Sequence, residues 1–184
     1  MVHDEAPGDR AAIAAGRADW DAIESAITRS DNDAALRLWQ TLDDGASEVE
    51  AVLRRAGDHE TTLERSPDPR GYSSFGRTVW SLPAAVSFYG ALARGELLPP
   101  SETARVLDAM RRIVPEQRWG LGAAEPPIPF KGGWGPSERP AGGYEVIQVG
   151  IAGPDVIAIA ARAPDFEAAK RLASRHVPQH PNTP

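Results

Sequence analysis

The chain of 184 residues contains no cysteine, which excludes disulfides and thiolate metal sites and leaves the compartment open. Lysine is almost as scarce, occurring only as Lys131 and Lys170. The net charge of −6 is spread along the chain and no basic stripe interrupts it, so nucleic acid and anionic membranes are not expected partners. No apolar run approaches the roughly eighteen residues that a membrane span requires. Met1 to Arg10 is polar and acidic, unlike a signal peptide, so the chain as it stands is expected in the cytoplasm. No His, Asp or Glu set has metal-ligand spacing, and no glycine-rich phosphate loop follows a strand. No cofactor is expected.

What is present is a globular composition, 41% hydrophobic and 25% charged with five tryptophans, long enough to bury roughly 70% of its unfolded surface. Residues 1–17 are rich in Ala, Asp and Gly with weak periodicity and read as a flexible lead-in. Trp20, Ile23 and Ile27 lie on one face of a helix over Asp19 to Thr28. Asp31 or Asn32 caps a second helix, Asp33 to Leu42, with Gly45 ending that segment, and Glu48 to Ala56 forms a third. Residues 57–78 show little period and form a long loop. Ser81 caps a helix to about Arg94, and Ser101 caps another over Glu102 to Val114. Beyond Pro115 the period changes from 3.6 to 2. Ile128 to Trp134 and Tyr144 to Ile151 are strands. The apolar run within Asp155 to Ala161 is a strand covered on both faces. Gly135 to Gly143 and Gly153-Pro154 are turns. Asp165 caps a last helix, Phe166 to His176, and 178–184 is a disordered tail. The fold class is therefore α+β, with a helical part over 18–115 and a small antiparallel sheet plus closing helix over 116–177, forming one domain.

Two short motifs carry the chemistry. Ser30-Asp31-Asn32 sits between two helices, and alone it reads as a cluster of helix-capping residues. Lys131-Gly132-Gly133 lies in a strand. A lysine there reads either as a snorkelling surface side chain or, beside Phe130 in a chain with two lysines, as a charge held at a site. Taken together, and in this order, they match the second and third of the three motifs S-x-x-K, S-D-N and K-T-G of serine acyl-transferring enzymes. S-x-x-K itself does not occur, because neither lysine has a serine three positions before it.

The run Ala26-Ile27-Thr28-Arg29-Ser30-Asp31-Asn32-Asp33-Ala34-Ala35 resembles the MI-x-x-SDN-x-AA segment of class A β-lactamases and related D-alanyl-D-alanine peptidases. Phe130-Lys131-Gly132-Gly133-Trp134-Gly135 resembles their K-T-G strand, followed by two similar strands and a similar closing helix. Tyr72 to Trp80 and Arg118-Trp119-Gly120-Leu121 resemble a bacterial serine-hydrolase branch of that superfamily. The resemblance spans about residues 18 to 177. It implies a partial β-lactamase/transpeptidase-like fold and a small acyl substrate, a β-lactam or a D-Ala-type peptide. It implies that Ser30 relays a proton to the departing nitrogen, while Asn32 contacts the substrate amide. Asp31 is structural. Lys131 supplies a positive field for the substrate carboxylate, and Trp134 gives a backbone N–H to the oxyanion hole. Lys131, Gly132, Gly133 and Trp134 form the substrate-facing strand.

The departures are equally informative. Gly132 stands where the family has a threonine whose hydroxyl contacts the substrate carboxylate. Glu60 and Glu64 lie in the long loop that carries a deacylating glutamate in class A enzymes, but neither matches that motif, and both read as surface carboxylates. The 29 residues before Ser30 cannot hold the family's S-x-x-K helix and the elements before it, and Ser25, Ser30, Ser73 and Ser74 have no activating base at motif spacing. His59 and His176 form no triad with a serine.

Three expectations follow. The first is the C-terminal part of a serine hydrolase, inactive for want of its nucleophile, whose complete relatives are exported. The second is a non-catalytic module that holds a small carboxylate or self-associates through the strand Val156 to Ala161, whose family counterpart pairs with a strand lying further upstream. The third is a globular α+β domain in which Ser30 and Lys131 lie far apart.

Overall fold

A computed structural model describes residues 19–66, 77–137, 142–175 and 177. The lead-in 1–17, the loop segment Tyr72 to Gly76 with its Ser73 and Ser74, His176 and the tail 178–184 lie outside the described residues. Among the described residues there are six α-helices and three strands: α1 (Trp20–Arg29), α2 (Asn32–Gln40), α3 (Gly45–Arg55), α4 (Leu82–Ala93), α5 (Pro100–Arg111), β1 (Phe130–Pro136), β2 (Tyr144–Ala152), β3 (Asp155–Ala163) and α6 (Phe166–Arg175). Two 3₁₀ turns, Pro115–Gln117 and Gly120–Ala123, join α5 to β1. The arrangement is α+β, as the change of periodicity at Pro115 indicates.

The helices begin where short polar side chains can serve the first free N–H groups. Asp19 accepts from the N–H of Asp21 and Ala22 and starts α1. Asp31 accepts from Ala34 N–H and starts α2, and Asp44 accepts from Ser47 N–H and starts α3. Ser81 and Asp165 do the same for α4 and α6. Several boundaries differ from the expectation by a few residues, and two of them have a clear cause. Gly45 opens α3 instead of closing the preceding segment. Asp44 supplies the cap, and the Trp39 indole occupies the space where a Cβ on residue 45 would stand 2.6 Å from Trp39 Cε2. At α5, Ser101 is not the cap: Pro100 takes the first helical position after Pro99, and the Ser101 hydroxyl turns to Glu102. That helix stops at Arg111, before Val114.

The sheet is antiparallel in the order β1-β2-β3, with Gly132 opposite Gln148 and Gln148 opposite Ile159. Alternation along the strands separates two cores. Ile147, Val149, Ile151, Val156 and Ala158 pack with Phe88, Tyr89, Ile23, Ile27 and the rest of the helical layer. Phe130, Val146, Ile159 and Ala161 pack with Leu121, Ile113 and the Ala169 and Ala173 face of α6. The sheet is thus covered on both faces, which accounts for the unbroken apolar run of β3.

Gln148 is one of the few polar residues in this interior. It is fully buried, its Oε1 accepts from Leu121 N–H at 2.7 Å, and its Nε2 donates to the Trp119 carbonyl at 2.8 Å. Both amide ends are satisfied, so the second 3₁₀ turn is pinned to the sheet without an unpaired buried dipole. Gly120 sits between those two contacts at φ +56, where an added Cβ would lie 2.2 Å from Gln148 Oε1. Gly120→Ala combines a left-handed backbone cost with a broken buried hydrogen bond, together about 2–4 kcal/mol. For a domain of this size that is a fall of roughly 5–12 °C in melting temperature, measurable by circular dichroism. An unchanged melt would show that the turn tolerates a side chain there.

Candidate active-site remnant at Ser30 and Lys131

The C-terminal end of α1 and the start of β1 meet at one polar cluster. Ser30 is the C-cap of α1 and adopts φ 52, ψ 48, the left-handed region that residues other than Gly, Asn and Asp rarely occupy. This turn reverses the chain between α1 and α2 and aims the Ser30 hydroxyl across to β1. There Lys131 Nζ donates to Ser30 Oγ at 2.8 Å and to the Gly132 carbonyl at 2.6 Å. Ser30 and Lys131, 101 residues apart, are therefore in direct contact. The expectation that places them far apart is excluded.

Lys131 is only 2% exposed. Among the described residues no carboxylate forms an ion pair with it. An ammonium has three donors, of which these two contacts use two. A buried cation without a counter-charge favours any anion that can reach its remaining N–H, because its own desolvation is otherwise uncompensated.

A third residue, not anticipated from the sequence, completes the cluster. Gln117, in the first 3₁₀ turn, accepts from the Ser30 hydroxyl at 3.0 Å and donates from Nε2 to the Arg29 carbonyl at 2.8 Å. The turn is held against α1 by the Val114 N–H, which donates to the Thr28 carbonyl at 2.9 Å. No sequence signal marks Gln117, since its contacts depend on a turn that periodicity does not reveal.

The other motif residues take separate places. Asp31 accepts from Ala34 N–H at 3.0 Å and from Ser25 Oγ at 2.7 Å, and these bonds, the backbone one foremost, hold its carboxyl below the usual range. It binds local structure and faces no ligand. Asn32 is the exposed first residue of α2, and its side chain makes no hydrogen bond among the described residues. Gly132 and Gly133 are buried in β1. A Cβ at Gly132 would meet Gln148 Cγ at 3.4 Å, so the strand leaves room for little more than a small side chain there. The Trp134 ring lies on the opposite face of β1, against Trp119 and Phe166, so only its backbone can serve the Lys131 face.

The loop glutamates are engaged elsewhere or exposed. Glu64 accepts from the N–H groups of Arg65 and Ser66, and Glu60 and His59 are exposed. Asp58 anchors this loop. Burial pushes its carboxyl up, but hydrogen bonds from Thr61, Glu60 and the Trp80 indole together outweigh that and hold it low. Two shallow concavities, one bordered by Trp39, Asp44 and Arg65 and the other by Leu63, Arg77 and Val79, have neither Ser30 nor Lys131 in their walls. Geometry, not cavity size, identifies the site.

The comparisons concern the family and the fold. The model of the Beta-lactamase enzyme family matches residues 18–140, and the chain belongs to that family. No curated protein matches it. Among solved structures it resembles a variant of the reconstructed last common ancestor of Gram-negative class A β-lactamases, at 18% identity and TM-score 0.67, covering 93% of this chain and 77% of that one. The chromosome-encoded β-lactamase of Vibrio parahaemolyticus is similar at 16% identity and TM-score 0.66, covering 93% and 78%. The penicillin-binding protein PBP-A matches at 22% identity and TM-score 0.61, covering 86% of this chain and 58% of that one. At these identities the structural likeness shows the fold alone.

The depressed Asp31 carboxyl carries a sign. A group whose proton affinity is lower in the folded chain stabilises it at pH above the unfolded value near 3.9. That contribution is lost as pH falls through the folded value. Asp31→Ala is therefore expected to lower the melting temperature at pH 7, by roughly 1 kcal/mol in stability for a lost helix cap, and to have less effect in strong acid. A variant equally destabilised at both pH values would contradict this.

Proposed function

We propose that Ser30 and Lys131 form the proton-relay and carboxylate-attracting half of a serine acyl-transfer site whose substrates are β-lactams or D-Ala-type peptides. The observation that carries this reading is the 2.8 Å hydrogen bond between a buried lysine and the serine of S-D-N. Each group has a role that fits its surroundings. Lys131 presents positive charge where little water competes, favouring the substrate carboxylate and easing proton loss from Ser30. Ser30 passes a proton to the departing nitrogen. Asn32, on the exposed start of α2, contacts the substrate amide, and the Trp134 N–H on the edge strand β1 contributes to the oxyanion hole. Gly132, lacking the family's hydroxyl, leaves the carboxylate to Lys131.

An attacking serine with its lysine does not occur within the 184 residues. The chain by itself accordingly holds such ligands without forming an acyl-enzyme. The expected result with a fluorescent penicillin is no covalently labelled band. In an NMR titration with N-acetyl-D-alanyl-D-alanine, wild type binds and Lys131→Met binds at least tenfold more weakly, since a hydrogen bond to a charged group is worth roughly 1.5–3 kcal/mol. A labelled band from the isolated chain, or equal binding by Lys131→Met, would refute the reading.

A second reading concerns β3, which lies at the end of the sheet with its only charged residues, Asp155 and Arg162, near its two ends. An edge strand with an uncharged middle is a template for strand pairing. We propose self-association through Val156 to Ala161. Size-exclusion chromatography is expected to show a concentration-dependent dimer. A monomer at every concentration would argue against it.

A further inference from the structure

The Ser30 hydroxyl carries one proton and two lone pairs. Lys131 can only donate, so its 2.8 Å contact occupies a lone pair. The proton then points to the acceptor on its other side, Gln117 Oε1 at 3.0 Å. The orientation of the Gln117 amide follows from its far end. The Arg29 carbonyl only accepts, so the amide nitrogen faces it at 2.8 Å and the oxygen is left for Ser30. Hydrogen bonds thus run in one direction, from Lys131 through Ser30 and Gln117 to the Arg29 carbonyl.

We propose that Gln117 is a positioning residue that draws the Ser30 proton away from any ligand held at Lys131 and thereby sets what the Ser30–Lys131 pair accepts. The inference rests on the preceding reading of Ser30 and Lys131 as the carboxylate-holding pair. With its proton on Gln117, Ser30 offers a ligand a lone pair alone, and an anion is met by the remaining N–H of Lys131. For Ser30 to donate to a carboxylate or a departing nitrogen, its O–H must rotate off Gln117 and give up that bond. A typical net hydrogen bond corresponds to a factor of about five in affinity. Gln117 therefore weakens anion binding while it orients the hydroxyl, the reverse of what a merely structural support does. Its removal leaves no buried orphan, because Gln117 is half-buried and Arg29 is exposed to water.

The test is an NMR titration of wild type, Gln117→Ala and Gln117→Glu with acetate, each checked for an intact fold by its melting temperature. Gln117→Ala is expected to bind acetate about fivefold more tightly than wild type. Gln117→Glu keeps an acceptor for the Ser30 proton and is expected to bind no more tightly than wild type. Equal or weaker binding by a folded Gln117→Ala overturns the proposal. Failure of wild type to bind either acetate or the dipeptide overturns the carboxylate reading instead. A ligand-free measurement decides the positioning role in that event. Ser30→Ala is expected to shift the Gln117 side-chain carbonyl carbon resonance, and an unmoved resonance overturns the proposal.

Discussion

A buried ammonium with no carboxylate partner among the described residues is the constraint around which this end of the molecule is arranged. An unpaired charge taken from water costs several kcal/mol unless dipoles replace the solvent. Lys131 obtains them from the Ser30 hydroxyl and the Gly132 carbonyl. Ser30 reaches it only because the chain enters a left-handed turn after α1, and Gln117 and the Val114 N–H fasten that turn to the segment leading into β1. Three stretches distant in sequence are thus tied together by one cation. Backbone strain of this kind persists where the surroundings over-determine it, and it concentrates at functional sites.

The fold and its kinship impose a further reading on the same cluster. The chain is a member of the Beta-lactamase enzyme family, and the polar contact lies at the junction of helical layer and sheet. In such a site the protein's contribution is to hold charge and proton where they are needed before a ligand arrives. The Lys131 cluster has that preorganised character. The serine is oriented, the lysine is dry, and the edge strand beside them presents backbone groups.

Much of this was legible in the chain itself. Helix starts followed from Ser81, Asp165 and the pair Asp31 and Asn32, of which Asp31 is the cap, because capping is a local transaction between a side chain and the next turn. The strands followed from the change of period after Pro115, and S-D-N and K-G-G singled out Ser30 and Lys131, two residues that the fold brings into contact. The rest depends on contacts that no local pattern records. Gly45 opens α3 because Trp39, six residues earlier, fills the space beside it. Ser101 loses its capping role to a proline that already has the helical φ. Gln117 and Gln148 look like ordinary polar residues, yet each bridges segments brought together only by the tertiary fold.

The sheet that carries Lys131 also acts as a partition. Side chains of odd number along β2 belong to the helical layer and those of even number to the layer under α6. Neighbouring positions along one strand therefore answer to different packing environments, and substitutions in separate environments combine nearly additively. The α6 layer seats its small Ala169 and Ala173 against the sheet, and the buried Gln148 amide with Gly120 beside it makes that layer as exacting as the lysine side.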